Sequence, residues 1–519
     1  MALSSQQARD RVIVVGAGVG GLVAALELAA HGLRVTLLER AAQPGGKMRE
    51  LLGGDAGPTV FTMRWVFDEL LDAVGESLAA QLTLTALPVL ARHVWSADER
   101  LDLFADLETS VAAIGAFAGP AEARRYRTFC TRAQQVYRAL EKPFLRRTRP
   151  NPLSLPLRAG WRGLPDLLHI DPFQTLWCAL GEHFHDPRLR QLFGRYATYC
   201  GSSPYLAPAT LMLVAHVERE GVWSVAGGMH RVARMLEALA RQRGAVLRYG
   251  AEVTRILVED GAAVGVQLHD GERLCADAVV FNGDAAALGQ GLLGEPARRA
   301  VPVSGVRQRS LSAVTWNLNA RTSGFPLSHH NVFFGGAYED EFDAVFRRGA
   351  LPTDPTVYVC AQDRDGEDGT APSGPERLLC LVNAPACGDA GAPSDEEIEA
   401  CEQRTFRRLS ACGLELERTP RSSRRTTPAD FHHLFPGTGG ALYGSASHGW
   451  QASFRRPTQR SAIPRLILAG GSTHPGPGVP MAALSGRLAA AEVLRQLARR
   501  GVSMSTSLPA VMPGGTSTR

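Results

Sequence analysis

The chain opens on a pattern of strand, helix and strand. Val12–Val15 is a short run of apolar residues, typical of a strand that is covered on both faces. Leu22–Ala30 is apolar and rich in alanine, which favours a helix packed on that strand. Arg34–Leu38 repeats the strand pattern and is followed by Glu39. The start of the sequence therefore predicts a parallel βαβ unit.

Glycines separate the first predicted strand from its helix at fixed spacing. Gly16, Gly18 and Gly21 fit the pattern G-x-G-x-x-G, and Gly20 lies inside it. The first glycine permits a sharp turn, the second lets the backbone approach a pyrophosphate, and the third lets the helix pack on the strand. The free N–H groups of the helix start favour phosphate, and Glu39 would accept hydrogen bonds from a ribose. The motif predicts a dinucleotide site of the Rossmann type.

The loop after Glu39 favours FAD over NAD. Arg40 is followed by a paired glycine ending at Gly46, then by Lys47 and Met48. Such a loop can run back along an extended dinucleotide and bring backbone and a cation to its phosphates. The stretch resembles the flavoprotein family of amine oxidases, protoporphyrinogen oxidases and phytoene desaturases, whose pattern is E-R-x(4)-G-G-[KR]. All four residues are expected at the cofactor.

Later segments extend the same domain. Gly227–Gly250 has apolar residues at helical spacing before a strand, Ala251–Asp284 reads as a β-meander, and Arg465–Arg499 reads as strand, glycine turn and helix. The expected class is α/β (α+β), with a discontinuous Rossmann-type FAD domain and a substrate domain of mixed sheet and helices. The FAD domain is assigned to residues 1–85, 220–300 and 455–500, the substrate domain to 86–219 and 301–454, and a disordered tail to 501–519.

The C-terminal glycine motif is expected at the flavin. The segment Ala469–Gly486 reads AGGSTHPGPGVPMAALSG and resembles the motif A-G-x-x-T-H-P-G-x-G-x-P of bacterial carotenoid desaturases. Its helix start would stabilise an anionic reduced flavin. The cofactor-binding residues expected here are Gly470, Gly471, Gly478, Val479, Pro480 and Met481. Val253, at the start of the meander, is added to this set.

The segment Asp55–Trp65, DAGPTVFTMRW, narrows the resemblance. It is similar to the D-x-G-P-[ST] segment of phytoene desaturases, and most of all to the 1-hydroxycarotenoid 3,4-desaturases. This resemblance implies that Thr59 and Arg64 contact FAD. It also implies that apolar side chains of the segment contact a polyene, with ordinary core packing as the alternative. These side chains are Phe61, Met63 and Trp65.

The implied activity is an FAD-dependent desaturation in carotenoid biosynthesis. A C3–C4 double bond would be introduced into acyclic 1-hydroxycarotenoids of the hydroxyneurosporene type, by hydride transfer to flavin N5. Reoxidation would use quinone or oxygen. His474 and Asp55 are the candidate catalytic residues. The alternative for His474 is that it orders the turn, and the alternative for Asp55 is a capping or turn role. His432–His433 could bind a substrate hydroxyl. The alternatives are a phytoene desaturase, a flavin amine oxidase and a non-enzymatic prenyl-protein binder of the Rab GDP-dissociation-inhibitor type.

Composition excludes some partners and suggests one. The net charge is only +5, with 45% hydrophobic and 21% charged residues, so nucleic acid is not expected. Nine cysteines without CxxC spacing favour a reducing cytoplasm. No metal site is expected, because the adjacent His329–His330 would point different ways on a strand. Arg124–Arg149 holds nine cations and one acid with interleaved aromatics. This segment predicts peripheral association with the inner, photosynthetic membrane, a solvated helix face being the alternative.

Overall fold

A computed structural model describes residues 10–148, 173–302, 309–364, 370 and 372–505. The strands, in chain order, are β1 (Arg11–Val15), β2 (Arg34–Glu39), β3 (Glu50–Leu51), β4 (Gly54–Asp55), β5 (Leu84–Ala86), β6 (Val89–Val94), β7 (Arg100–Phe104), β8 (Trp223–Val225), β9 (Val246–Tyr249), β10 (Val253–Glu259), β11 (Ala262–Leu268), β12 (Arg273–Cys275), β13 (Ala278–Phe281), β14 (Ser312–Ser323), β15 (His330–Phe333), β16 (Val357–Ala361), β17 (Glu376–Ala384), β18 (Glu415–Glu417), β19 (Ser423–Thr426) and β20 (Leu466–Leu468).

The α-helices, in chain order, are α1 (Val19–Ala30), α2 (Trp65–Ala73), α3 (Leu78–Gln81), α4 (Leu107–Ala118), α5 (Pro120–Leu140), α6 (Leu176–His183), α7 (Pro187–Gly194), α8 (Leu213–Arg219), α9 (His230–Gln242), α10 (Ala285–Gly289), α11 (Glu295–Arg298), α12 (Tyr338–Asp343), α13 (Asp395–Ala411), α14 (Pro428–Leu434), α15 (Ala452–Arg455) and α16 (Val479–Ser505). Short 3₁₀ segments span Arg195–Cys200, Ala209–Met212 and Pro420–Ser422, and π-helical turns span Glu141–Leu145 and Ala344–Arg348.

A five-stranded parallel sheet holds the first glycine motif. Its order is β20-β13-β1-β2-β9, and every strand comes from one of the three segments assigned to the FAD domain. Because side chains alternate across a strand, Val12 and Val14 pack against α1, α9 and α16, whereas Ile13 packs against the meander β10–β12. Cover on both faces explains why β1 is apolar from Val12 to Val15.

An eight-stranded, mostly antiparallel sheet forms the second layer. Its order is β18-β14-β17-β16-β15-β6-β7, with β19 also paired to β14. Alternation again separates two faces: Trp316 on β14 packs with Ile398 and Cys401 of α13, whereas its neighbour Thr315 faces the interior between the domains. The sheet therefore supplies one wall of the space beside the parallel sheet.

The ends of the chain meet where α1 and α16 cross. A Cβ at Gly486 would lie 2.3 Å from the carbonyl oxygen of Gly20, so only glycine allows this approach. Arg487 Nε donates to Glu27 Oε1 at 2.8 Å across the same contact. Helix α16 continues to Ser505, into the segment expected to be disordered, since helix propagation is favoured once α1 supports its beginning. Residues 506–519 lie outside the described residues.

The basic segment Arg124–Arg149 forms α5 and the following π-helical turn, except that Arg149 lies outside the described residues. Its apolar side chains are buried, among them Phe129, Val136 and Phe144, because they occupy the inward face of an amphipathic helix. Phe129 and Phe144 therefore do not face a lipid surface, contrary to what the sequence suggested. The exposed side chains of the segment include Arg124, Arg127, Arg138, Lys142 and Arg147.

Within the described part of the chain, no helix combines the length and the apolar character that crossing a bilayer requires.

Candidate functional site

A cavity of about 470 Å³, here the dinucleotide cavity, opens at the carboxyl ends of β1, β2 and β13. Ligands of parallel α/β sheets bind at this edge. Most residues expected at the cofactor line it: Gly16, Gly18, Gly20, Glu39, Arg40, Gly46, Lys47, Met48, Val253, Gly470, Gly471, Gly478 and Val479.

The backbone in and beside the wall of the dinucleotide cavity is packed too closely for side chains at two glycines. A Cβ at Gly21 would lie 2.1 Å from the Gly16 carbonyl oxygen, and one at Gly57 would lie 1.9 Å from the Lys47 carbonyl oxygen. Gly21 does not line the cavity itself but lets α1 approach β1. The cradle is thus bare backbone and a helix start, the chemistry that a pyrophosphate requires.

Asn282 is a cavity residue that sequence analysis missed. Its Nδ2 donates to the Gly16 carbonyl oxygen at 3.2 Å. The residue stands in the wall of the dinucleotide cavity, and its buried Oδ1, which faces Gly20 and Gly470, has no hydrogen-bond partner among the described residues. A buried acceptor without a partner fits a site completed by a ligand. Its position directly after a parallel strand was the signal that could have found it.

Glu39 and Lys47 are held by backbone groups. The amides of Ala17 and Ala41 donate to the two carboxylate oxygens of Glu39 at 2.6 and 2.8 Å. A carboxylate has further lone pairs, so a ribose hydroxyl can still be accepted. Lys47 Nζ donates to the Leu442 carbonyl oxygen at 2.5 Å, and burial lowers the pKa of this amine. A phosphate beside Lys47 would offset that burial.

A second, larger cavity of about 600 Å³, here the apolar cavity, joins the first. The two cavities share wall residues, most of them from the DAGPT segment, from β17 and from the C-terminal motif. We call this shared wall the junction. The junction residues are Gly57, Pro58, Leu379, Leu381, Leu442, Tyr443, Pro477, Gly478 and Val479. Both glycine-rich chain ends therefore meet at one place, between a dinucleotide-sized and a mostly apolar space.

The remaining expected site residues divide between the cavities and the core. Thr59, Met63, Pro480 and Met481 line the apolar cavity rather than the dinucleotide cavity. Of these, Thr59, Pro480 and Met481 were expected at FAD and Met63 at the polyene. The Thr59 hydroxyl lies 2.7 Å from that of Tyr358.

Phe61, Trp65 and Arg64 line neither cavity. Phe61 is 1% exposed and packs on Phe67 with ring centroids 5.1 Å apart, so the core-packing alternative describes it. The Trp65 ring lies under Arg146 at 4.1 Å, and Arg64 pairs with Asp68 at 3.2 Å on the next turn. Regular strand alternation would place Phe61, Met63 and Trp65 on one face. Met63 instead has a φ of +48° and α2 begins at Trp65, so the three side chains diverge and only Met63 reaches the cavity.

Asp55 holds the start of α9. Its carboxylate accepts from the amides of Met229 at 2.7 Å and His230 at 3.2 Å, which is the geometry of a helix N-cap supplied from a distant segment. Burial raises the pKa of the carboxyl, while these hydrogen bonds oppose the shift. Asp55 lies in the wall of neither cavity, so the geometry gives it a structural task; its catalytic role stays a prediction.

His474 lies next to the junction but is turned away from it. It is 0% exposed, its Nε2 lies 3.0 Å from the Phe144 carbonyl oxygen, and it lines neither cavity. Burial lowers the pKa of His474 to about 4. His432 likewise accepts from the Gly439 amide at 3.1 Å, and neither it nor His433 lines the apolar cavity.

We expect acid to destabilise the protein through its buried histidines. Burial lowers the pKa of His93 to about 3 and of His474 to about 4, both below the ordinary value of 6.5. Below pH 6.5 the unfolded chain binds protons that the folded chain refuses. Stability is therefore full above pH 6.5 and falls towards pH 4, by about 1.4 kcal/mol per pH unit for each histidine.

Urea denaturation between pH 7.5 and 4.5 measures this loss. His474→Gln keeps a donor for the Phe144 carbonyl but cannot titrate, so its stability should fall less steeply below pH 6.5. His269→Gln, at an exposed position, is the matched control and should follow the parent. A parent curve that is flat between pH 6.5 and 4.5 would contradict the expectation.

His329 and His330 are closer than expected. Their ring centroids lie 4.6 Å apart, because His329 precedes β15 and does not follow its alternation. Together with Cys360 they place possible metal ligands within 4.8 Å of one another. Burial lowers the pKa of His330, and the neighbouring His329 and Arg195 lower it further. The charge of Arg195 also opposes a bound cation. We therefore assign no metal to this cluster.

Comparison with known proteins gives a consistent result. The family model for flavin containing amine oxidoreductase matches residues 19–494. The hydroxyneurosporene desaturase of Rubrivivax gelatinosus is 56% identical over 98% of this chain and 97% of its own, and that of Cereibacter sphaeroides is 48% identical over 95% and 99%. Among solved structures, putrescine oxidase has the same fold with a TM-score of 0.58 at 17% identity, covering 94% of this chain and 99% of its own.

Proposed function

Since the chain belongs to the flavin-containing amine oxidoreductase family, we propose that it is an FAD-dependent carotenoid desaturase that introduces the C3–C4 double bond into acyclic 1-hydroxycarotenoids. The observation that carries this proposal is the junction, where the dinucleotide cavity meets the apolar cavity. The names of the full-length relatives supply the substrate class. A cavity whose wall surface is mostly apolar suits a polyene and not a small amine.

The described residues fit FAD and divide the work around it. The bare backbone at Gly16–Gly20 would bind the pyrophosphate and Glu39 a ribose, while the amino end of α16 faces the junction. When bound, FAD supplies the acceptor for the hydride that leaves the polyene. Leu379, Leu381 and Val479 at the junction would align the polyene and exclude water.

Loss of the second hydrogen as a proton needs little help from the chain. The positive charge that develops on the polyene makes the neighbouring C–H acidic. The conjugated double bonds stabilise this charge by delocalising it. A strong general base in direct contact is therefore not required. This is consistent with the position of His474 and Asp55 away from both cavity walls.

The proposal is tested with FAD-loaded protein and three substrates. 1-Hydroxyneurosporene, phytoene and a simple diamine are offered with a quinone or with oxygen, and absorption spectra and peroxide are recorded. We expect a longer chromophore from 1-hydroxyneurosporene alone, and the rate in each arm identifies the acceptor. A longer chromophore from phytoene only would make the enzyme a phytoene desaturase, and peroxide from the diamine would make it an amine oxidase.

We also propose that the mouth of the apolar cavity rests on lipid. Phe173 and Trp450 line the cavity, are 75% and 36% exposed, and pack with ring centroids 5.4 Å apart. Aromatic side chains at a rim, with the exposed cations of α5, suit an anionic membrane surface. Flotation with phosphatidylglycerol vesicles should be weakened by Phe173→Ser with Trp450→Ser, but not by Val246→Ser, another exposed apolar position. Equal flotation of all three proteins would refute lipid contact at the mouth.

A further inference from the structure

Polar side chains interrupt the apolar cavity wall on one side. They come from four distant parts of the chain, and we call them the polar patch. Its members are Thr59, Arg195, Tyr199, Glu218 and Tyr358. Arg195 and Glu218 are only 9% and 6% exposed, so most of both charged side chains is out of water. Charged groups are rarely buried without a partner, and these two partly face a cavity meant for hydrocarbon.

Both carboxylate oxygens of Glu218 have hydrogen-bond partners in the fold, but only some of the N–H donors of Arg195 do. Tyr199 and Tyr196 donate to the two oxygens of Glu218, each at 2.6 Å. Arg195 Nη1 donates to the Tyr199 hydroxyl at 3.1 Å. In the part of the chain that the structure describes, the Arg195 guanidinium has no other hydrogen bond and no ion pair. A guanidinium has five N–H donors, so several remain for an occupant of the cavity.

Tyr358 continues the patch towards the junction. Its hydroxyl lies 2.7 Å from both Thr59 Oγ1 and His330 Nδ1, and its ring lies 5.5 Å from the Arg195 guanidinium carbon. Thr59 directly follows Pro58, which belongs to the junction. Tyr358 and Thr59 therefore connect Arg195 with the place where the cavities meet.

Glu341, in the same cavity wall, is a buried acid whose two carboxylate oxygens both accept hydrogen bonds from the fold. Asn383 Nδ2 donates to one of its oxygens at 2.7 Å and the Thr356 amide to the other at 3.1 Å. Both oxygens have partners from the fold, as structural buried acids usually do. The contrast singles out Arg195, whose donors the fold does not use up.

We propose that the polar patch binds the C1 hydroxyl of the carotenoid. This inference rests on the proposed function, and it assigns the residues that would select the hydroxylated end. The hydroxyl oxygen accepts from Arg195, and its hydrogen is donated to Glu218 or Tyr358. In the substrate only C2 separates C1 from C3, so the oxygen must bind beside the reacting carbons. The patch satisfies this requirement, since Thr59 adjoins the junction.

The same geometry disfavours a substrate that ends in hydrocarbon. A methyl group beside Arg195 would exclude water from the guanidinium without replacing its hydrogen bonds. Sites built to hydrogen-bond a substrate hydroxyl reject the analogue that lacks it more strongly than apolar sites distinguish size. Discrimination should therefore depend on Arg195 rather than on the length of the cavity.

The test compares 1-hydroxyneurosporene with neurosporene, which share one polyene. For each protein the ratio of the two kcat/KM values is measured, together with the dissociation constant of each carotenoid from absorption changes. Arg195→Met should lower the hydroxyl preference by about tenfold or more. Tyr358→Phe should lower it severalfold. Tyr205→Phe is the matched control, because Tyr205 lies outside the cavity wall, and its ratio should equal that of the parent.

The outcomes separate this inference from the proposed function. If the parent desaturates 1-hydroxyneurosporene but Arg195→Met retains FAD and the parental ratio, the patch is not the hydroxyl site and the function stands. If the parent desaturates neither carotenoid, the proposed function itself fails. Should Arg195→Met lose FAD or misfold, Tyr199→Phe and Tyr358→Phe decide, and an unchanged ratio in both overturns the inference.

Discussion

Replacing Gly21 with alanine is expected to give a protein that does not retain FAD. The new Cβ would stand 2.1 Å from the Gly16 carbonyl oxygen and 2.9 Å from Asn282 Nδ2. Neither a backbone carbonyl nor an asparagine held by that carbonyl can move away cheaply, so α1 must retreat from β1. Overpacking of this kind costs about 1–3 kcal/mol, which corresponds to a loss of FAD affinity of about 5- to 150-fold. Desaturation should be lost with the cofactor.

The measurement is the flavin absorbance per protein after gel filtration, with circular dichroism to check folding. Gly115→Ala is the matched control, since its Cβ would meet only the Cβ of Ala123, at 3.5 Å, inside helix α4. That variant should keep its flavin and be slightly more stable, because alanine favours helix. A folded, fully yellow Gly21→Ala protein would refute the tight packing of α1 on β1.

Glu376→Ala should be the most destabilising single change in the second sheet. Arg364 and Glu376 are side chains with 5% and 2% exposure, joined by Nε–Oε2 and Nη2–Oε1 hydrogen bonds of 2.8 and 2.7 Å. Arg364 also donates to the Leu327 carbonyl oxygen at 3.0 Å. Removing the acid leaves a buried guanidinium uncompensated, which costs about 3–5 kcal/mol.

Equilibrium urea unfolding of the variants checks this value. The double change Arg364→Met with Glu376→Leu removes both charges and should recover much of the lost stability, because apolar pairs of similar volume often replace buried ion pairs well. Arg347→Ala breaks an exposed pair with Asp343 and should cost at most about 1 kcal/mol. If Glu376→Ala cost no more than Arg347→Ala, the pair would not contribute as its burial implies.

The sequence predicted the local elements of the FAD domain well. The βαβ unit, the meander and the C-terminal strand–turn–helix each depend on periodicity and turn residues within a few tens of positions, and all are present in the structure. Six glycines of the two motifs also line the dinucleotide cavity, namely Gly16, Gly18, Gly20, Gly470, Gly471 and Gly478. Flavin and carotenoid chemistry, by contrast, followed from a resemblance to known motifs rather than from periodicity.

Residue roles that depend on distant partners could not be predicted. Asp55 looked like a possible base because nothing nearby shows that it will cap α9, almost 175 residues later. Phe61 and Met63 have the same apolar character, and only the fold shows that one enters the core and the other a cavity. The polar patch is dispersed from Thr59 to Tyr358, so no local pattern could reveal it.

The parallel sheet and the helices that cover it are completed only when the last elements of the chain have been synthesised. β1 and β2 can pair early, but β20 and α16 are synthesised roughly 450 residues later. At about 5–20 residues per second, a ribosome needs from about half a minute to a minute and a half for this interval. Meanwhile the apolar side of α1 that α16 covers remains open to solvent and to chaperones. Stable loading with flavin must therefore follow the emergence of the last helix.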